Sequence, residues 1–165
     1  MRNIALIGMP GSGKSIIGKR LSRRLHMNFL DVDTYIEQHH GSIEDLFARG
    51  EDHFRNIEES ALSACVMQSN TVISTGGGVV EREANRELLR LWTTVVFIDR
   101  PLEHILGDIQ EGKRPLLKNN PGKLPELYRR RIGKYREWAD HTVGNDRTPG
   151  IAIEEIIRLM STNNP

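Results

Sequence analysis

The chain has 165 residues, 38% of them hydrophobic and 27% charged, which predicts one soluble globular domain over residues 1–165. Its net charge of +1 is too balanced to favour nucleic acid or a membrane as a partner, and no apolar run approaches the ~20 residues that cross a bilayer. The lone cysteine, Cys65, excludes an internal disulfide and agrees with a reducing cytoplasm, where we expect the chain to be a monomer. We expect Cys65 in the core, because it continues the apolar face of the helix predicted at Glu51–Gln68.

The N-terminal part alternates short apolar runs with amphipathic segments. In chain order we predict a strand at Asn3–Gly8, a helix at Lys14–Leu25, a strand at Asn28–Asp31, and helices at Asp33–His40, Ser42–Phe47 and Glu51–Gln68. Because the first strand begins by Asn3, no room for a targeting segment is expected.

The C-terminal part continues the alternation. We predict a strand at Thr71–Ser74, a helix at Glu81–Arg90, a strand at Thr94–Ile98, a helix at Pro101–Gln110, a mobile loop at Gly112–Pro125, a helix at Glu126–Trp138, a strand at His141–Val143 and a helix at Pro149–Met160. This order predicts a parallel sheet covered by helices on both faces, with ligands bound beyond the carboxyl ends of its strands.

A phosphate-binding motif joins the first strand to the first helix. The segment GMPGSGKS, which ends with Lys14 and Ser15, matches G-x-x-x-x-G-K-[ST]. Its glycines let backbone N–H groups turn inward around an anion, while Lys14 can reach the β- and γ-phosphates and Ser15 can bind Mg²⁺. The residues expected to bind ATP here are Gly11, Ser12, Gly13, Lys14, Ser15 and Ile16. The motif leaves the phosphoryl acceptor open, because kinases, ATPases and switch proteins share it.

Two carboxylates end the second strand candidate, as Asp31-Val-Asp33. Residues two apart on an extended segment point the same way, so both are expected to face one cleft. One could hold the water shell of Mg²⁺, and the other could accept a hydrogen bond from an attacking hydroxyl. Alternatively, one of them caps the helix that follows.

Two arginines are candidates for binding an anionic acceptor. Arg55 either forms a surface pair with Glu59, four residues on, or presents its charge at a cleft. Arg131 lies on the apolar stripe of its helix, four residues from Leu127 and from Tyr135, so it needs a partner. A substrate carboxylate or an internal Asp or Glu would supply one.

The glycine run Gly76–Gly78 ends the third strand, where it either lets a ligand approach backbone N–H groups or forms a flexible turn. Ser74, just before it, could join the water network of a metal. Arg114 lies in the predicted loop within KRPLL. It could reach the phosphates if that loop closes, or it could be an ordinary exposed cation.

These segments together resemble the shikimate kinases, a branch of the P-loop kinases related to nucleoside monophosphate kinases. The matching segments, in family order from Gly8 to Tyr135, are GMPGSGKS, DVD, FRNIEE, STGGG, KRPLL and RRRIGKY. The resemblance implies an α/β, three-layer P-loop kinase fold with five parallel strands in the order 2-3-1-4-5. It also implies a mobile lid near 112–124 and a substrate-binding helical region near 33–62. The implied reaction moves the γ-phosphoryl group of ATP to the 3-hydroxyl of shikimate, with Mg²⁺ as cofactor.

The resemblance also assigns roles to individual residues. Those implied in catalysis are Lys14, Asp33 and Arg114, and those implied in binding shikimate are Asp33, Phe54, Arg55, Gly76, Gly77, Gly78 and Arg131. Ser15, Ser74 and Asp31 would serve Mg²⁺, Asp31 through water. The family stacks adenine between a lid-side arginine and a proline near the C-terminus, to which Arg147 and Pro149 are similar. Gly107-Asp108 stands where the lid-side arginine is expected. Arg114 and Arg147 would also contact ATP.

Two other functions stay open from the sequence. Another small-acid kinase, such as a gluconate kinase, would keep the phosphate loop but should lack this ordered combination of FRxxE, GGG and a lone helical arginine. A nucleotide-binding switch that acts on a protein partner would not need two cleft arginines and a closing lid.

Overall fold

A computed structural model describes residues 1–110 and 122–162 of the chain. Its strands form one parallel sheet in the order β2-β3-β1-β4-β5. They are β1 (Asn3–Ile7), β2 (Asn28–Asp31), β3 (Thr71–Ser74), β4 (Thr93–Asp99) and β5 (His141–Gly144). The predicted strand order is confirmed, and β1 at its centre carries the phosphate motif directly after its last residue.

Helices connect the strands. They are α1 (Lys14–Leu25), α2 (Val32–His40), α3 (Ile43–Ala48), α4 (Glu51–Val66), α5 (Glu83–Trp92), α6 (Leu102–Gln110), α7 (Lys123–Trp138) and α8 (Pro149–Thr162). A 3₁₀ turn at Gly77–Glu81 follows β3. Within the described part of the chain, no helix is both long enough and apolar enough to cross a membrane.

Apolar side chains cover both faces of the sheet. Ile4 and Leu6 of β1 pack with residues of α1 and α8, whereas Ala5 and Ile7 pack with residues of α2, α4, α5 and α7. This alternation buries β1 on both faces, as a central parallel strand requires, and confirms the three-layer arrangement. Cys65 of α4 belongs to the second cluster and is fully buried, in agreement with its expected place in the core. Burial, with the charge of Asp31 adding, raises the pKa of its thiol to about 11.

Two predicted boundaries near the candidate site are wrong. Asp33 does not extend β2, because α2 begins at Val32 with Asp31 as its N-cap. The helix predicted from Glu126 begins at Lys123 instead, since Pro125 fits the first helical turn, where its missing N–H costs nothing. The end of the predicted loop at Gly112–Pro125 is therefore helical. Most of that loop and of the predicted lid, including Arg114, lies outside the described residues.

Candidate active site

The phosphate motif forms a tight turn between β1 and α1. Gly8, Gly11 and Gly13 have φ angles of 151°, 83° and 97°, a region that glycine adopts at little cost. A Cβ at Gly8 would lie 2.6 Å from the carbonyl oxygen of Ile98, so a side chain there would displace the loop from β4. The glycines are thus required by backbone shape and by close packing.

Two polar side chains that sequence reasoning missed hold this loop from the neighbouring strand ends. Asn145, which follows β5, donates its Nδ2–H to the carbonyl oxygen of Ser12 at 2.8 Å. Arg100, which follows β4, donates to the carbonyl oxygen of Gly11 at 3.0 Å and pairs with Asp108 at 2.6 Å. Asp108 stands in the segment where the resemblance leads one to expect an arginine. Their position in the sequence could have identified both residues. Polar residues directly after strands 4 and 5 lie at the same edge of a parallel sheet as the loop after strand 1.

Lys14 is buried over the loop, at the predicted place. Its ammonium donates to the carbonyl oxygens of Gly8 and Met9 at 2.8 and 2.9 Å, and lies 3.4 Å from the Ser12 hydroxyl. These contacts hold the Lys14 ammonium at the phosphate motif, where the N-terminus of α1 adds its own partial positive charge.

Three oxygen-bearing side chains meet beside the loop. The Ser15 hydroxyl donates to Asp31 Oδ2 at 2.5 Å and lies 3.3 Å from the Ser74 hydroxyl. Asp31 Oδ1 accepts from the backbone N–H of Thr34 at 3.1 Å and caps α2, so the capping alternative raised from the sequence is also present. Hard oxygen donors of this kind fit Mg²⁺. Across residues 1–110 and 122–162, no group of three or more His, Cys, Asp or Glu side chains that could hold a metal ion is found.

Asp33 lies in the first turn of α2 and faces the glycine run. A Cβ at Gly76 would lie 2.9 Å from Asp33 Oδ1 and 3.1 Å from Glu58 Oε2. Burial raises the pKa of the Asp33 carboxyl to about 6, with the charges of Asp31 and Glu58 adding and that of Lys14 opposing. A carboxyl that titrates near neutral pH in this position is suited to exchange a proton with a bound hydroxyl.

Arg55 is buried in α4, so of the two alternatives left by the sequence the surface pair with Glu59 is wrong. Its Nη1–H donates to Glu58 Oε1 at 2.8 Å, and only 7% of its side chain is exposed. Glu59 instead contacts Arg82 at 3.5 Å. Position 55 faces inward beside Phe54, whose ring centre is 5.3 Å from the guanidinium carbon. Phe54 itself is 3% exposed and belongs mainly to the core.

Arg131 is buried in α7 and has an internal carboxylate as partner. Its Nε–H donates to Glu81 Oε1 at 2.9 Å, across fifty residues of chain. Arg130 donates to both oxygens of Glu81, at 3.3 and 3.1 Å. Burial acts to raise the pKa of the Glu81 carboxyl, but Arg131 and then Arg130 lower it below its usual value.

The glycine run packs tightly, so it is not the flexible turn that the sequence left open. A Cβ at Gly77 would lie 2.5 Å from Pro10 Cδ, and one at Gly78 would overlap the guanidinium of Arg55. The hydroxyl of Tyr135 donates to the carbonyl oxygen of Gly77 at 2.5 Å. The 3₁₀ turn thus joins the phosphate loop, α4 and α7.

These contacts bring most of the predicted site residues to one end of the sheet. Burial raises the pKa of the Glu58 carboxyl, and the charges of Arg55, which contacts it at 2.8 Å, and of Arg131 both oppose that rise. Two predicted ATP contacts, Ile16 and Arg147, are exposed. Arg114 lies outside the described residues.

Comparison with known proteins shows what the whole chain is similar to. A family model described as shikimate kinase matches residues 10–161. A shikimate kinase of Clostridium beijerinckii is 43% identical over 165 residues, which cover 99% of this chain and 98% of that protein. The structure of shikimate kinase from Acinetobacter baumannii in complex with shikimate superposes with a TM-score of 0.90 and 33% identity, over 99% of this chain and 95% of that one. Shikimate kinase from Aquifex aeolicus superposes with a TM-score of 0.84 and 37% identity, over 98% and 97%.

Proposed function

The chain belongs to the shikimate kinase family, and we propose that its candidate active site transfers the γ-phosphoryl group of ATP to the 3-hydroxyl of shikimate. The products are shikimate 3-phosphate and ADP. The observation that carries the proposal is the meeting of Asp33 and buried Arg55 at the glycines beside the phosphate loop. A base and a fixed cation at one end of a phosphate loop suit an acceptor with both a hydroxyl and a carboxylate.

The phosphate loop binds ATP in this proposal. Backbone N–H groups from Gly11 to Ser15 surround the phosphates, and Lys14 exchanges its carbonyl contacts for phosphate oxygens. Its charge then neutralises negative charge that builds on the β- and γ-oxygens as the phosphoryl group leaves. Asn145 and Arg100 keep the loop in shape from outside.

Mg²⁺ is the proposed cofactor, held by Ser15 and, through water, by Asp31, with Ser74 joining the same water network. Their mutual contacts at 2.5 and 3.3 Å support this, since the three oxygens already lie together at the loop. When bound, the ion offsets phosphate charge. Because Asp31 Oδ1 caps α2, the helix keeps the carboxylate in position.

Asp33 acts on the acceptor. It orients the 3-hydroxyl of shikimate and accepts its proton as the oxygen forms a bond to the γ-phosphorus. The bond from that phosphorus to the bridging oxygen breaks, and ADP leaves with the electron pair. A pKa of about 6 supports this role, because Asp33 is mainly ionised at neutral pH yet basic enough to take the proton.

Arg55 and Arg131 bind the carboxylate of shikimate, and the N–H groups of Gly76–Gly78 approach its ring. Both arginines are buried and fixed, which favours recognition of a planar anion. Phe54 supports Arg55 through its ring. Arg114 and Arg147 remain predicted ATP contacts, and a cytoplasmic monomer remains the expected form.

One coupled assay tests the proposal by measuring ADP release with shikimate, gluconate, a nucleoside monophosphate or no acceptor, each with and without Mg²⁺. We expect release only with shikimate and Mg²⁺ together. Release with gluconate would identify a different small-acid kinase. Release without an acceptor, at the same rate as with shikimate, would favour a nucleotide-binding switch.

A further inference from the structure

Glu81 lies against the arginine that we assign to the substrate carboxylate, yet it belongs to none of the segments that carry the family resemblance. It ends the 3₁₀ turn that begins at Gly77, one of the glycines assigned to shikimate. Its carboxylate accepts the Nε–H of Arg131 at 2.9 Å. The side chain is 16% exposed, whereas that of Arg131 is 6% exposed, so the contact is largely shielded from water.

We propose that Glu81 is a positioning residue for substrate binding, which fixes the Arg131 guanidinium by its Nε edge and leaves its terminal nitrogens for the substrate carboxylate. This inference rests on the proposed function. A guanidinium carries N–H groups on three nitrogens, and a carboxylate binds two of them side by side. The Nε contact therefore does not exclude a second carboxylate on the same arginine, next to the Tyr135 hydroxyl with which its side chain also interacts.

The charges around Glu81 explain why it assists binding of the substrate carboxylate and does not take its place at Arg131. Arg130 donates to both Glu81 oxygens from the exposed side of α7. The two guanidinium groups and one carboxylate leave one positive charge in the cluster, and the lowered pKa of Glu81 keeps that balance at neutral pH. Arg131 thus gains a fixed orientation while the cluster still attracts an anion.

The Arg55–Glu58 pair is built differently and leaves another edge of the guanidinium for a substrate. Glu58 contacts Arg55 through Nη1, one of the terminal nitrogens, at 2.8 Å. Arg55 Nε has no hydrogen-bond partner among the described residues, and Nη2 lies 3.6 Å from Glu51, so a substrate carboxylate at Arg55 would meet the Nε–Nη2 edge. Arg131 is held at Nε, so a carboxylate there would meet its terminal nitrogens, and the two arginines present different edges.

The experiment compares Glu81→Ala and Glu81→Gln with wild type and with the control Glu137→Gln. Glu137 is also on α7 and pairs with Arg86 at 3.1 Å, but 62% of its side chain is exposed. We expect Glu81→Ala to raise the KM for shikimate about tenfold, the effect of one charge-assisted hydrogen bond. Glu81→Gln keeps one acceptor oxygen and should give a smaller rise. The KM for ATP, kcat and all constants of the control should change less than about twofold.

Other results would overturn the inference. A lower KM for shikimate in Glu81→Gln would mean that Glu81 competes with the substrate. Equal rises in both KM values, together with a lower Tm than the control, would mean a structural role alone. An unchanged KM in both Glu81 variants would place the ion pair outside the substrate site. In each of these cases the wild-type protein still phosphorylates shikimate, so only the inference about Glu81 fails. If the wild-type protein is inactive with shikimate, the proposed function itself is refuted.

Discussion

The proposed nucleotide half and the proposed acceptor half of the site are held in place by different kinds of contact. The phosphate loop is held mainly through backbone oxygens: Lys14 contacts those of Gly8 and Met9, and Asn145 contacts that of Ser12. The acceptor half is held through ion pairs between side chains. Arg55 pairs there with Glu58, and Arg131 with Glu81.

This difference separates the binding of phosphate groups, which many ligands share, from the recognition of one acceptor. A loop of backbone groups suits phosphates, which all nucleoside triphosphates share, so its shape depends on glycines and not on particular side chains. Paired arginines suit one arrangement of charge on the acceptor, and their partners fix where that charge must lie. Substitutions in the first half should therefore affect phosphoryl transfer, and those in the second should affect acceptor binding.

Lys14→Ala should have the largest effect. Without the ammonium, charge on the transferring phosphoryl group is not neutralised, and we expect kcat to fall by about 10³. Thermal unfolding should show a folded protein, because the glycine turn and the contacts from Asn145 and Arg100 remain. Near-normal turnover in the folded variant would contradict the assignment of the ATP site.

Arg131→Ala should show the separation between the two halves. Loss of one partner of a buried charge pair predicts shikimate binding weaker by ~2–5 kcal/mol, with ATP binding little changed. Calorimetry with each ligand measures both values, and Arg129→Ala on the exposed face of α7 is the matched control. Equal losses for both ligands would show that Arg131 is structural and that the two halves are not independent.

Asp33→Asn removes the proposed base for the acceptor hydroxyl. We expect kcat to fall by about 10² and the KM for ATP to stay nearly unchanged. In wild type, kcat/KM for shikimate should fall as pH drops through about 6, because the raised pKa means that Asp33 takes up a proton there and stops acting as a base. The variant should lose this limb of the pH profile. If the limb persists, another group controls it, and Glu58, whose pKa burial also raises, is the first to test.

The sequence predicted best the features that local patterns define. The phosphate loop follows from eight consecutive residues between a strand and a helix, and the strand order came from segments matched in family order. Cys65 was expected in the core because it continues the apolar face of α4. Each of these depends on neighbours in sequence or on a pattern shared across a family.

Partners distant in sequence were beyond local reasoning. The sequence showed that Arg131 needs a carboxylate, but 22 acidic residues were available and Glu81 is fifty residues away. For Arg55, helical spacing suggested Glu59, whereas burial selected Glu58, which faces inward with it. The error at Asp33 has a similar cause: either aspartate of the DVD segment could cap a helix, and the choice of Asp31 moved Asp33 from strand to helix.

The buried thiol of Cys65 gives this chain an internal probe of helix motion. A thiol with no exposed surface and a pKa of about 11 resists alkylation while α4 stays packed on the sheet. The rate at which an alkylating reagent modifies the native protein therefore reports how often α4 opens. The same helix carries Arg55 and Glu58. The alkylation rate of this single cysteine therefore measures how often the proposed acceptor side opens, without an introduced label.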